Sequence, residues 1–78
     1  MCILTGMEID EAGGTYMLFS PVKFNSFQEA VGYLDKEIEN YCTEFLDAMV
    51  DRHGEDSCII WLDSFGFRHY VEFMISDL

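Results

Sequence analysis

The sequence predicts an α+β domain in which one long helix packs on one face of a four-stranded, mostly antiparallel sheet. Three features favour this class: two apolar stretches around a glycine-bearing turn, a long stripe of apolar residues at helical spacing, and a second pair of apolar stretches. The predicted order is ββαββ. With 78 residues, the chain suits one core, so residues 1–78 are predicted to form a single acidic interaction domain.

The first two strands are predicted within residues 2–20, where residues 10–14 (DEAGG) form a polar turn sequence between apolar stretches. This pattern is typical of a β-hairpin. Pro21 is expected to end the second strand because proline has no N–H to donate to a ladder. Residues 22–25 then lead to the helix.

The helix start is marked by Ser26 and Glu29, which have the S-x-x-E spacing of a capping box. Apolar residues then recur at spacings of three and four, which keeps them on one side of a helix. They are Phe27, Val31, Leu34, Ile38, Tyr41, Phe45 and Met49. We therefore expect one helix to about Arg52, closed by Gly54 in the left-handed conformation.

The last two strands are predicted at residues 58–62 and 67–75, joined through residues 63–66 as a second hairpin. Side chains alternate between the faces of a strand, and here both faces of the sheet are apolar. One set is expected under the helix: Ile3, Met7, Ile9, Met17, Phe19, Val71, Phe73 and Ile75. The opposite set comprises Leu4, Tyr16, Leu18, Trp61, Tyr70 and Met74.

A single helix covers only one face of a sheet, so the opposite apolar face is expected to be exposed. Exposed apolar patches usually mark an interface. The predicted interface residues are Tyr16, Leu18, Trp61, Tyr70 and Met74. The alternatives are that a folded-back loop or the termini cover this face, or that these are scattered exposed apolar side chains.

The charge balance is strongly acidic, with 15 acidic and 4 basic side chains and a formal net charge of −11. Such a surface repels nucleic acid and anionic membranes and attracts basic proteins, although acidic surfaces also simply keep proteins soluble. Three cysteines without CxxC spacing favour a reducing cytoplasm. No apolar run approaches the roughly 20 residues that cross a bilayer.

Acidic side chains also form a row on the predicted helix, turned away from the apolar stripe. We define this acidic ridge as the row Glu37, Glu44, Asp47 and Asp51, together with Asp35 and Glu39 on its neighbouring flank. Helix neighbours lie about 5–6 Å apart, comparable with the spacing of phosphates along a nucleic-acid strand. Lys36 is the only basic residue between Glu29 and Asp51. The alternative is an ordinary solvated helix face.

Catalytic signals are weak. His53 and His69 are the only histidines, and no nucleophile–base order or phosphate-binding glycine loop stands out. Cys58 with either histidine lacks the spacing of a zinc site. We therefore expect no enzyme activity, no cofactor and no metal.

In size and composition, the chain is similar to the DNA-mimic and anti-defence proteins of phages: very short, very acidic and poor in motifs. That resemblance implies an inhibitor in the host cytoplasm that occupies the basic surface of a nucleic-acid-binding protein, with the acidic ridge replacing phosphates. The alternative hypothesis is a homodimer or scaffold subunit that assembles through the apolar sheet face, anchored by Trp61 and Tyr70.

Overall fold

A computed structural model describes residues 1–62 and 68–78. Its elements are β1 (Cys2–Ile9), β2 (Thr15–Met17), β3 (Val22–Phe24), α1 (Phe27–Glu44), β4 (Met49–His53), β5 (Ser57–Trp61) and β6 (Tyr70–Asp77). The α+β class is confirmed. The prediction of four strands is wrong, because the described residues form six. The predicted turn at residues 63–66 and the first residue of the predicted last strand, Phe67, lie outside the described residues.

The sheet is built around the antiparallel pair of β1 and β6. Its order is β2-β1-β6-β5-β4, with β3 also paired to β1, and the pairings are antiparallel. β2 and β3 pair with opposite ends of β1, so they act as one edge strand interrupted before Val22. Pro21 lies in this interruption, but β2 already ends at Met17, and residues 22–24 form a strand and not a simple lead to the helix.

The helix begins where the sequence predicts. Ser26 is the N-cap, and the backbone N–H of Glu29 donates to its Oγ at 3.2 Å. This bond satisfies one of the backbone donors that the first turn of a helix leaves unpaired. The buried side of α1 carries Ala30 and Leu34, which pack on the sheet.

The predicted helix end near Arg52 is wrong. The helix ends at Glu44, and Phe45 is the C-cap in extended backbone, with its N–H donating to the Tyr41 carbonyl at 2.8 Å. Met49–His53 is instead the edge strand β4, whose backbone pairs with β5. Gly54 has a φ of +73°, so its predicted left-handed conformation is present. It closes the turn between β4 and β5.

The buried side chains form one cluster between α1 and the sheet: Cys2, Leu4, Ala30, Leu34, Cys58, Ile60, Val71, Phe73 and Ile75. β6 is oriented as predicted, but β1 is turned over. Leu4 faces the helix, whereas Ile3, Met7 and Ile9 project from the opposite face of the sheet, which we call the outer face. Both faces of β1 are apolar, so alternation alone does not distinguish them.

Gly6 explains why β1 accepts this orientation. A Cβ at this position would lie 2.8 Å from Cε1 of Phe19 and 3.1 Å from Cδ1 of Phe73. The two rings stack at a centroid distance of 6.3 Å and fill the space over the glycine. Phe19 therefore packs on the helix side of β1, as the sequence predicts, even though β1 itself is turned over.

We predict that Gly6→Ala destabilises the domain by about 1–3 kcal/mol, because the added methyl group overpacks the ring pair. Gly32→Ala is the matched control. Gly32 lies on α1 with no neighbouring atom within 4 Å of a Cβ, so the change should stabilise the helix by up to about 1 kcal/mol. Urea unfolding measures both variants. Equal effects of the same sign would contradict this account of Gly6.

Candidate protein-interaction surface

The strand register arranges the outer face in rows that cross the sheet, because directly paired residues project from the same face. The first row, which we call the aromatic row, is Met49, Trp61, Tyr70, Ile9 and Thr15. The second, the mixed row, is Asp51, Ile59, Glu72, Met7 and Met17. Met74 and Ile3 lie further along the same face. Apolar side chains therefore extend over this face from β4 to β2.

Methionines dominate the accessible part of the outer face. Their exposed fractions are 39% for Met7, 61% for Met17, 48% for Met49 and 46% for Met74. Within residues 1–62 and 68–78, no helix or strand packs over them. An antiparallel sheet with one solvated face normally places polar residues there. The two rows depart from that pattern, whereas the next row across the same face, His53, Ser57, Met74 and Thr5, is mostly polar.

The aromatic pair at the centre of the aromatic row is partly shielded. Trp61 and Tyr70 are cross-strand partners whose ring centroids lie 4.7 Å apart. A pair of aromatic side chains of this kind contributes a large apolar area. Aromatic residues and methionine are enriched in protein interfaces.

One carboxylate lies in the middle of this apolar surface. Glu72 is half-buried, with Met7 and Ile59 as its cross-strand partners. Among the described residues, no basic group forms an ion pair with it. A carboxylate between apolar neighbours keeps its water only while the face is open, so a bound molecule has to provide it with a hydrogen-bond donor.

Three of the predicted interface residues, Trp61, Tyr70 and Met74, lie on the outer face. Two do not. Tyr16 is paired with Glu8 on the helix side of the sheet, and Leu18 packs against the core. Because β2 is paired with β1, the side chains of β2 are inverted together with those of β1, and this places Tyr16 on the helix side. The sequence-based interpretation missed the outer-face residues Met7, Met17, Met49, Ile59 and Glu72; alternation within β6 was enough to find Glu72.

The acidic ridge does not exist as a single helical row. Asp47 lies in the turn after α1. Asp51 lies on the outer face of β4, where its Oδ2 is 3.3 Å from Nε2 of His53. Both were assigned to the helix because it was predicted to continue to Arg52. Asp35 does lie on α1, but its Oδ1 forms an ion pair with Nη1 of Arg52. That pair links the helix to β4.

Glu37, Glu39 and Glu44 lie on α1 as predicted. Glu37 and Glu44 belong to a negative group around Tyr41, whose pKa is raised by burial first and then by nearby carboxylates, including Glu8 of β1. Glu8 also binds Nε2 of His69 at 2.9 Å. The Glu8–His69 bond therefore links β1 to the residue that precedes β6.

No other site emerges in the described part of the chain. It contains no group of three or more His, Cys, Asp and Glu side chains able to hold a metal ion, and no pocket. Cys58 is buried, and burial is the main cause that raises the pKa of its thiol. A thiol held in its protonated form is a poor nucleophile.

Within residues 1–62 and 68–78, no helix has the length and apolar character required to cross a membrane.

Comparison with known proteins identifies no relative. No family model matches the sequence, and neither a curated protein nor a solved structure matches it significantly.

The position of Tyr16 is explained by the turn between β1 and β2. Oδ1 of Asp10 accepts from the N–H groups of Gly14 at 2.7 Å and Ala12 at 3.0 Å, and its Oδ2 accepts from the Tyr16 hydroxyl at 3.1 Å. The Gly14 bond is the main cause that lowers the pKa of Asp10 from its usual value. The bond to Asp10 in turn raises the pKa of Tyr16. The turn is therefore organised by an ionised carboxylate.

We predict that Asp10→Asn destabilises the domain at about pH 6 and that the difference from wild type shrinks at about pH 3. A folded-state pKa below the unfolded value gives stability that is present above the unfolded pKa and lost as pH falls through the folded pKa. Urea unfolding at both pH values measures this. Glu11→Gln, an equal charge change in the same turn, is the control, and a pH-independent effect of Asp10→Asn would contradict the assignment.

Proposed function

We propose that this chain is a protein-binding domain and that its outer face binds a basic protein. The observation that carries the proposal is the exposed apolar outer face with Glu72 at its centre. Apolar area of this kind gains free energy when it is removed from water, at roughly 25 cal/mol per Å². The four exposed methionines provide most of that area, and the partly shielded Trp61–Tyr70 pair lies beside them.

Charge supports a basic partner over a second copy of the chain. The chain has a formal net charge of −11, so two copies repel each other at long range. A symmetric contact through the centre of the outer face would also bring Glu72 towards its own equivalent. Like charges in a desolvated contact are unfavourable, whereas an arginine or lysine opposite Glu72 satisfies its carboxylate.

Nucleic-acid-binding proteins form one class of partner with a suitable basic surface. A bound domain of this charge would repel the phosphate backbone from that surface, so inhibition of nucleic-acid binding is the activity that we propose to test. The acidic ridge does not provide a row of phosphate-like charges along the helix, because Asp47 and Asp51 are not on α1. The remaining acids contribute by attracting a basic partner at long range.

A photo-crosslinking experiment tests the surface and the partner together. A photoreactive amino acid replaces Met74 or Met17 on the outer face, and Glu39 on α1 as the control position. In lysate of the source cells, we expect the two outer-face positions to crosslink the same basic protein. The Glu39 position should not. Raising the salt from about 50 to about 500 mM should weaken capture, because screening reduces the long-range attraction.

The variant Glu72→Lys should abolish the crosslink at Met74 while the far-UV circular dichroism remains that of wild type. Crosslinking only from the Glu39 position would contradict the outer-face assignment.

Light scattering of the purified chain should give a monomer; a dimer that Glu72→Lys alters would instead favour self-assembly. A competition assay, in which the chain displaces DNA from the captured protein, tests the inhibitory role.

A further inference from the structure

We infer that the partner places a basic amphipathic helix on the outer face, lying across the strands between the aromatic row and the mixed row. This inference rests on the proposed function, because it specifies which structure of a basic protein the outer face accepts. Three properties of the outer face carry it: the direction of its backbone groups, its dimensions, and the positions of its two carboxylates.

Backbone direction favours a helix over an extended segment. In a sheet, the N–H and C=O groups lie in the plane of the sheet and bond neighbouring strands, so a sheet face presents only side chains. A segment that lies on this face in place of water finds no backbone partner there. Its own buried backbone groups must therefore be paired internally, as in a helix. An extended segment would be expected at the open edge of β4 instead.

The layers of the fold agree with this reasoning. α1 covers one face of the sheet, and a second helix on the outer face would give the three-layer arrangement in which both faces of a sheet are covered by helices. Methionine suits such a contact because its unbranched side chain adapts to the irregular surface of a docked helix. Met7, Met17 and Met49 are exposed in the two rows.

The dimensions define the length of the helix. The rows cross five strands, and neighbouring strands lie about 4.8 Å apart, so each row is about 19 Å long. At about 1.5 Å per residue, a helix of about 13 residues matches that length. The two rows are separated by two residues along each strand, or about 7 Å. A helix with a diameter of about 10 Å therefore contacts both rows at once.

The carboxylates define the charge pattern. Glu72 lies on β6, and Asp51 lies on β4 with its Oδ2 3.3 Å from Nε2 of the exposed His53. Both carboxylates belong to the mixed row, with β5 between them. Their separation is therefore about 10 Å, which is close to two turns of a helix. The partner helix should carry arginine or lysine residues about seven positions apart, facing the mixed row. Its apolar stripe should face Trp61 and Tyr70.

Two synthetic peptides test this inference. Both contain about 14 residues with the same numbers of leucine and lysine. One has leucines at helical spacing and the other alternates leucine with lysine, the pattern of a strand. We expect the helical peptide to bind at least about tenfold more tightly, as measured by fluorescence anisotropy. Amide chemical-shift changes in NMR spectra should be concentrated in the outer-face residues of β1, β5 and β6.

Glu72→Gln should weaken binding of the helical peptide by about three- to tenfold, because it removes the carboxylate from the centre of the contact. Glu39→Gln, the same charge change on exposed α1, is the control and should alter the Kd by less than about twofold. Both variants should retain the circular dichroism and unfolding midpoint of wild type. If Glu72→Gln does not fold, Asp51→Asn takes its place in the comparison, and the same weakening of binding is expected for it.

Equal affinity for the two peptides would overturn the helix inference, as would equal effects of the Glu72 and Glu39 variants. Tighter binding of the alternating peptide, with protection of β4 amides from hydrogen exchange, would assign binding to the sheet edge. The proposed function is judged separately by the crosslinks from positions 17 and 74. Those crosslinks to a basic protein, combined with failure of the helical peptide, would reject the helix while leaving the binding surface in place.

Discussion

The pairing of β1 with β6 is the interaction on which the other elements depend. The two strands are in register from Cys2 opposite Asp77 to Ile9 opposite Tyr70. β2 and β3 attach to the free side of β1, β5 attaches to the free side of β6, and β4 attaches to β5. Leu4, opposite Ile75, lies in the cluster that α1 covers. A slip by one residue would exchange the two faces of one strand relative to its partner. One register therefore determines both the core and the outer face.

The sequence predicted those parts of the fold that depend on local chemistry. The Ser26 cap, the glycine turn after β1 and the left-handed Gly54 each follow from a few neighbouring residues. The end of the helix does not. Apolar spacing continues through Phe45 to Met49, but pairing with β5 stabilises the extended backbone at Met49–His53. Such pairing involves contacts beyond the local sequence, so the spacing of apolar residues along the chain does not reveal it.

The candidate surface shows the same division. An apolar second face was predictable, because one helix cannot cover both sides of a sheet. The residues that β6 contributes to this face followed from simple alternation, which placed Tyr70 and Met74 correctly. The outer-face residues of β1 were not predictable in this way, because Ile3 and Leu4 are equally apolar. The packing of Phe19 and Phe73 over Gly6 favours the observed orientation. The acidic ridge depended on the helix end and changed with it.

The central position of the β1–β6 pair also has consequences for the time course of folding. The hairpins β1–β2 and β4–β5 close through short loops, whereas β1 and β6 join segments from opposite ends of the described chain. Contacts between distant segments close slowly, because the chain loses more entropy in forming them. During synthesis, β1 therefore leaves the ribosome with one edge unpaired and both faces apolar until β6 follows. Exposed apolar surface and an unpaired strand edge favour aggregation during this interval.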